Sequence, residues 1–188
     1  ENVIGVKNYS NLSYLSNWSK KSNRKLELLN NWISHVNEKK TKISLINTNL
    51  HERKLFVYVG NMGVAQRLEI FIELAESLKN NKDIGFIFVG RGSEFNNLKN
   101  SSIKKKLNNI LFFDEINSDE IQNLLKMCHV GLIALDPRHK SHNIPGKFLT
   151  YLQAGLPVLA KINPGTDLQN IIEKEKVGIV YTYDTVKN

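Results

Sequence analysis

A single cysteine, Cys128, stands among 188 residues, so no disulfide can close within the chain, and a reducing cytoplasm is the expected setting. No apolar run approaches the roughly 20 residues that a membrane-crossing helix needs, and no signal peptide is visible at the start. The chain opens on Glu1 rather than Met, from which we expect part of a longer protein. Metal-ligating residues are sparse. His139 and His142 could pair, but no further ligand set accompanies them, so no metal and no cofactor is expected. There is no internal repeat and no low-complexity tract. Acidic residues are in deficit: 18 Asp and Glu against 26 Lys and Arg leave a net charge of +8. That balance suits an anionic partner such as a nucleotide, a phospholipid surface or nucleic acid, and it is equally what a lysine-rich solvated surface gives. The densest run, Lys104-Lys105-Lys106, lies on a predicted helix far in sequence from the glycine loops and reads as surface.

What is present changes character at about Lys54. Residues 1–53 are irregular. Short strands are expected at Val3 to Val6 and Lys25 to Leu29, a helix start at Ser10 to Leu15 with Tyr14 and Trp18 as apolar anchors, and a polar linker from Glu38 to Glu52. Residues 54–188 are regular. Six short apolar runs recur: Leu55 to Val59, Ile84 to Val89, Ile110 to Phe113, Val130 to Leu135, Pro157 to Ala160 and Gly178 to Tyr181. Wholly apolar strands are what a parallel sheet covered on both faces requires. Between them, Leu68, Phe71, Ile72, Ala75 and Leu78 follow helical spacing, as do the segments after Ser118 and Thr166. The alternation predicts a doubly wound, Rossmann-like α/β domain with a parallel sheet of about six strands.

In such a sheet, ligands bind beyond the carboxyl ends of the strands, near the switch in strand order. Here those ends carry Gly60-Asn61-Met62-Gly63, Gly90-Arg91-Gly92-Ser93, Phe113-Asp114-Glu115-Ile116 and Asp136-Pro137-Arg138-His139. The glycines either admit a phosphate close to exposed amides or simply make tight turns. Asp114 and Glu115 are open to a helix-capping role, and His129 and Tyr151 read as packed residues. The segment from Pro145 is different. Proline fits a first helical turn, Gly146 lets a ligand approach, and Gly155 with Pro157 ends the helix. Lys147 then places a positive charge at the positive end of that helix, an unfavourable position that a bound phosphate would explain.

The order of these motifs resembles a known family. Gly60-x-x-Gly63 opening an amphipathic helix, Val89-Gly90-Arg91-Gly92, and Pro145-Gly146-Lys147-Phe148-Leu149-Thr150-Tyr151 with Gly155-x-Pro157-Val158 resemble the C-terminal, donor-binding half of GT-B glycosyltransferases. The likeness is to the family 4 (group 1) enzymes of bacterial O-antigen and capsule synthesis, over about Lys54 to Tyr181. Residues 1–53 would then be the tail of an N-terminal domain plus the interdomain connection. The resemblance implies a nucleotide-diphosphate sugar donor and a saccharide or lipid-linked acceptor held mainly by the other domain. It implies a cytoplasmic protein, with possible peripheral contact at the inner face of the plasma membrane, and no nucleic acid.

As binding residues the resemblance implies Gly60, Asn61, Met62, Gly63, Gln66 and Arg67 beside the diphosphate with Gly146 and Lys147. The base would sit by the loop Phe113 to Ile116, which includes Glu115, and Thr150 by the ribose; Gly90, Arg91, His142 and Pro145 complete the implied nucleotide-sugar-binding set. Two departures stand out. The family's two glutamates, eight positions apart, are His142 and Thr150 here. Its Arg and Lys of the first glycine loop are Asn61 and Gln66, so charge is lost unless Arg67, Arg91 or Lys147 supplies it. No catalytic base is evident, and this chain alone is expected to turn over little or nothing. Two other classes stay open on the residues: an NAD(P)-dependent oxidoreductase domain, which would favour G-x-G-x-x-G over Gly60-x-x-Gly63, and a non-catalytic basic module that binds nucleotide or nucleic acid.

Overall fold

A computed structural model describes residues 2–34, 37–138 and 144–183. Two short parallel strands, β1 (Val3–Val6) and β2 (Lys25–Leu28), flank helix α1 (Tyr9–Ser22). The six expected runs form β3 (Lys54–Val59), β4 (Ile84–Val89), β5 (Ile110–Phe113), β6 (Val130–Ala134), β7 (Val158–Lys161) and β8 (Gly178–Tyr181). They make one all-parallel sheet in the order β5-β4-β3-β6-β7-β8.

Both faces of that sheet are buried, which is why its strands carry no polar alternation. Phe56, Tyr58, Phe86 and Phe88 face α2 (Glu69–Ser77) and α3 (Phe95–Lys104), where Phe71, Ile72 and Leu98 meet them. Leu55, Val57, Ile87, Ile133 and Ala160 face α4 (Ser118–Leu125), α5 (Gly146–Gln153) and α6 (Asp167–Glu175), through Leu124, Phe148, Leu168 and Ile172. Each such side chain contributes about 1.5–3 kcal/mol on leaving water.

Strand order reverses between β3 and β6. Their pairing is brief, Phe56 with Val130 and Val57 with Gly131, after which the strands part. Tyr151, fully buried on α5, spans the gap. Its hydroxyl accepts from the Val59 N–H at 3.0 Å and donates to the Leu132 carbonyl at 3.3 Å. A Cβ at position 131 would lie 2.4 Å from the Tyr151 ring, so only glycine leaves room for this wedge. A reversal of strand order of this kind leaves a crevice at the carboxyl ends of the strands.

Three expectations need correction. Tyr14 and Trp18 are not anchors: they are 76% and 43% exposed, and no residue of α1 is buried. Among the described residues α1 lies mainly on the two-stranded β1–β2 unit, too small a surface to bury them, and reaches the main domain where the Ser10 N–H donates to Asp167 Oδ2 at 3.0 Å. His129 is exposed rather than packed, and its Nδ1 accepts from the Leu55 N–H at 3.1 Å. The polar linker is docked. Thr41, Ile43 and Leu45 face inward while Lys42, Ser44 and Ile46 face out, and Leu50 is fully buried.

Candidate functional site

Lys147 sits in the first turn of α5, where the helix N–H groups lack helical acceptors. Pro145 precedes it with no side-chain cap, and the Phe148 N–H turns back to the Pro145 carbonyl at 3.0 Å. The lysine does not point away from the sheet. Its Nζ lies 3.5 Å from the centroid of the Tyr58 ring and 3.8 Å from where a Cβ on Gly60 would sit. The residue as a whole is part-exposed, but withdrawal of the ammonium from water pushes its pKa down to about 7. Among the described residues no carboxylate pairs with it. A desolvated cation with no counter-ion, beside a helix N-terminus, is a site for an anion.

The glycine turns meet above it. Gly60 and Gly90 have φ of +123° and +145°, and a Cβ on Gly90 would lie 2.0 Å from the Gly60 carbonyl oxygen. Gly90 and Gly92 therefore allow two strand-end loops to touch. Three amides of the first turn already have acceptors, which is the tight-turn alternative for Gly60, Met62 and Gly63. Gly60 N–H donates to the Val89 carbonyl at 2.9 Å, Met62 N–H to the Arg91 carbonyl at 2.7 Å, and Gly63 N–H to Gln66 Oε1 at 3.0 Å. The turn offers close approach rather than a cradle of donors, which leaves Lys147 as the main positive group in the crevice.

The remaining candidates separate into four places. Asn61 Nδ2 donates to Gln66 Oε1 at 3.2 Å, so these two side chains hold each other, while Met62 is fully buried under the turn. On the β4–β5 side, Arg91 and Glu115 form an exposed ion pair at 3.1 Å, with Phe113 and Ile116 part-buried against the core. On α5, Gly146 has open space around it, and Thr150 Oγ1 donates to the Gly146 carbonyl at 3.3 Å. Arg67 is exposed, with φ of +43°, and lines a separate charged cleft of about 370 Å³ with Glu69, Glu94, Asp136 and Arg138. His142, and His139 with it, lie outside the described residues.

The profile of the family described as glycosyl transferases group 1 matches residues 39–186. The chain belongs to the group 1 glycosyl transferases. Its six-stranded sheet with helices on both faces is the Rossmann-like C-terminal domain of the GT-B fold. The probable glycosyltransferase WbjE of Pseudomonas aeruginosa is 25% identical over 126 residues, which is 67% of this chain and 31% of WbjE. The putative colanic acid biosynthesis glycosyl transferase WcaI of Escherichia coli K12 is 29% identical over 121 residues, 64% of this chain and 30% of WcaI. The chain thus spans about a third of the length of these relatives. Among solved structures, Anabaena Alr3699/HepE in complex with UDP shares the fold at a TM-score of 0.62 and 17% identity, over 85% of this chain and 44% of that one.

In this group 1 glycosyl transferase, two features escaped sequence reasoning, one in the crevice and one in the separate charged cleft. Tyr58 carries the lysine. Its signal was a phenol in an otherwise aliphatic and phenylalanine-lined strand, since a buried hydroxyl needs a partner. Asp136 is the second. Arg138 grips its carboxylate at two points, Nε to Oδ1 and Nη2 to Oδ2, both at 2.9 Å. These hydrogen bonds, with the Arg67 charge nearby, hold the Asp136 carboxyl well below the usual carboxylate range. The sequence places Asp136 and Arg138 together at a ligand-facing strand end, but their i, i+2 spacing alone does not disclose the ion pair. Among the described residues no cluster of His, Cys, Asp and Glu could hold a metal ion, and no helix is long and apolar enough to cross a membrane.

Proposed function

We propose that this group 1 glycosyl transferase chain is the donor-binding part of the enzyme and grips the diphosphate of a nucleotide-diphosphate sugar with Lys147 and the first amides of α5. The observation that carries this reading is the Lys147 ammonium, desolvated, without a carboxylate partner among the described residues, and 3.8 Å from the Cβ position of Gly60. The base lies toward Phe113 to Ile116, where Arg91 and Glu115 form the rim, and Thr150 faces the ribose. The UDP held by the structurally similar HepE supports a uridine nucleotide as the first probe. The glycosyl group passes to a saccharide or lipid-linked acceptor of bacterial surface polysaccharide synthesis, bound mainly by the part of the enzyme outside this chain, at the cytoplasmic face of the membrane. The name of WcaI, a putative colanic acid biosynthesis glycosyl transferase, supports the polysaccharide setting. This chain alone binds donor and turns over little or nothing.

Calorimetric titration of UDP, GDP and NAD into the chain tests the reading. A lost charge-assisted contact is worth about 1.5–3 kcal/mol, so Lys147→Ala weakens UDP binding about 10- to 100-fold. Equal UDP affinity in the variant refutes the phosphate role, and binding of NAD alone refutes the donor class.

A further inference from the structure

We propose that Tyr58 is a positioning residue for the phosphate lysine: its ring face seats the Lys147 ammonium while its hydroxyl pins the Asn61 carbonyl, so one side chain fixes the lysine against the glycine turn. The inference rests on the donor reading above. Tyr58 lies at the end of β3, fully buried, with its hydroxyl donating to Asn61 O at 2.5 Å and Lys147 Nζ 3.5 Å from its ring centroid. The ring is not free to turn. It stacks on Phe88 at 5.8 Å and 25°, and Phe88 stacks on Phe112 at 5.1 Å and 28°, an aromatic row across β3, β4 and β5. A lysine drawn out of water needs a substitute for its hydration, and an aromatic face supplies one without an opposing carboxylate that would compete with a phosphate. The turn is tied from the other side as well, because Gln66 Oε1 accepts from both Gly63 N–H and Asn61 Nδ2. Phenol, amide and glycine together set where the cation stands relative to the backbone that the ligand approaches. A leucine at position 58 would fill the core but leave the ammonium no seat.

NMR of the Lys147 ε-methylene, assigned through Lys147→Arg, reads the seat directly and needs no ligand. In the unaltered chain that resonance lies upfield of the other lysines, because it is over a ring, and titrates near pH 7. In Tyr58→Leu it moves to the ordinary lysine position and titrates near the ordinary value, and the affinity for UDP falls about tenfold. Tyr58→Phe keeps the ring, so it keeps the upfield position and loses only a few-fold in UDP affinity. An ordinary Lys147 resonance in the unaltered chain overturns the proposal even if Tyr58→Leu does not fold, and so does a Tyr58→Phe that loses the upfield position. The two readings fail separately. If Lys147→Ala binds UDP normally while Tyr58→Leu releases the lysine, the diphosphate role falls and the seat stands. If Lys147→Ala loses UDP while Tyr58→Leu changes neither resonance nor affinity, the seat falls and the diphosphate role stands.

Discussion

Lys147 carries two opposite pH dependences. Its pKa is about 7 in the folded chain against 10.5 for an ordinary lysine. Between those values the unfolded chain binds the extra proton, so stability rises as pH rises from about 7 toward 10.5. Urea melts of the chain and of Lys147→Met at pH 6, 7.5 and 9 check this: the unaltered chain gains on the variant as pH rises. Anion binding runs the other way, because only the protonated lysine attracts a diphosphate. UDP affinity therefore falls as pH rises through about 7. Lys147→Arg, always charged, shows a flatter profile by calorimetry, with the titration of UDP itself common to both. Gly90 tests the touching loops. With φ of +145° and a Cβ position 2.0 Å from the Gly60 oxygen, Gly90→Ala cannot be accommodated without moving the turn. Strain of about 1–3 kcal/mol for the backbone alone is expected, seen as a lowered melting temperature together with loss of UDP binding.

The elements show what was legible. The six apolar runs announced a parallel sheet, because burial on both faces leaves no other pattern. What the sequence did not disclose was tertiary. The residues of α1 follow helical spacing yet bury nothing, since burial depends on a neighbour that pattern alone does not supply. Residues 41–46 alternate inward and outward, but a polar Thr41 on the inward side and an apolar Ile46 on the outward side masked the period. Glycines 60 and 63 fitted either open amides or a tight turn, and their amides have acceptors in the tight turn. Tyr151 shows how a core residue bridges two parting strands. Its hydroxyl is the only bridge the described residues offer between Val59 and Leu132. Tyr151→Phe leaves a buried donor and acceptor unpaired, at a cost of about 1–3 kcal/mol, measurable in denaturant melts, with the Val59 amide exchanging faster. Leu50, fully buried in the core, makes the same point for the docked segment. Leu50→Ala is expected to cost about 2–5 kcal/mol, whereas a passive linker would lose almost nothing.

At the scale of the molecule, the +8 charge suits the anionic donor proposed above, but bulk charge does not locate it. Lys39, Lys105 and Lys126 are spent on exposed pairs with Asp119, Glu76 and Glu38. Arg91 and Arg138 are paired with Glu115 and Asp136. The crevice where β3 and β6 part receives Lys147, held under the Gly60 turn by Tyr58. Coordinates of the chain soaked with UDP test this most directly. The account predicts the diphosphate in ion-pair contact with Lys147 Nζ, against the turn from Gly60 to Gly63 and the first amides of α5. A diphosphate seated instead in the cleft of Arg67 and Arg138, with Lys147 still resting on Tyr58 and touching no phosphate oxygen, would contradict it.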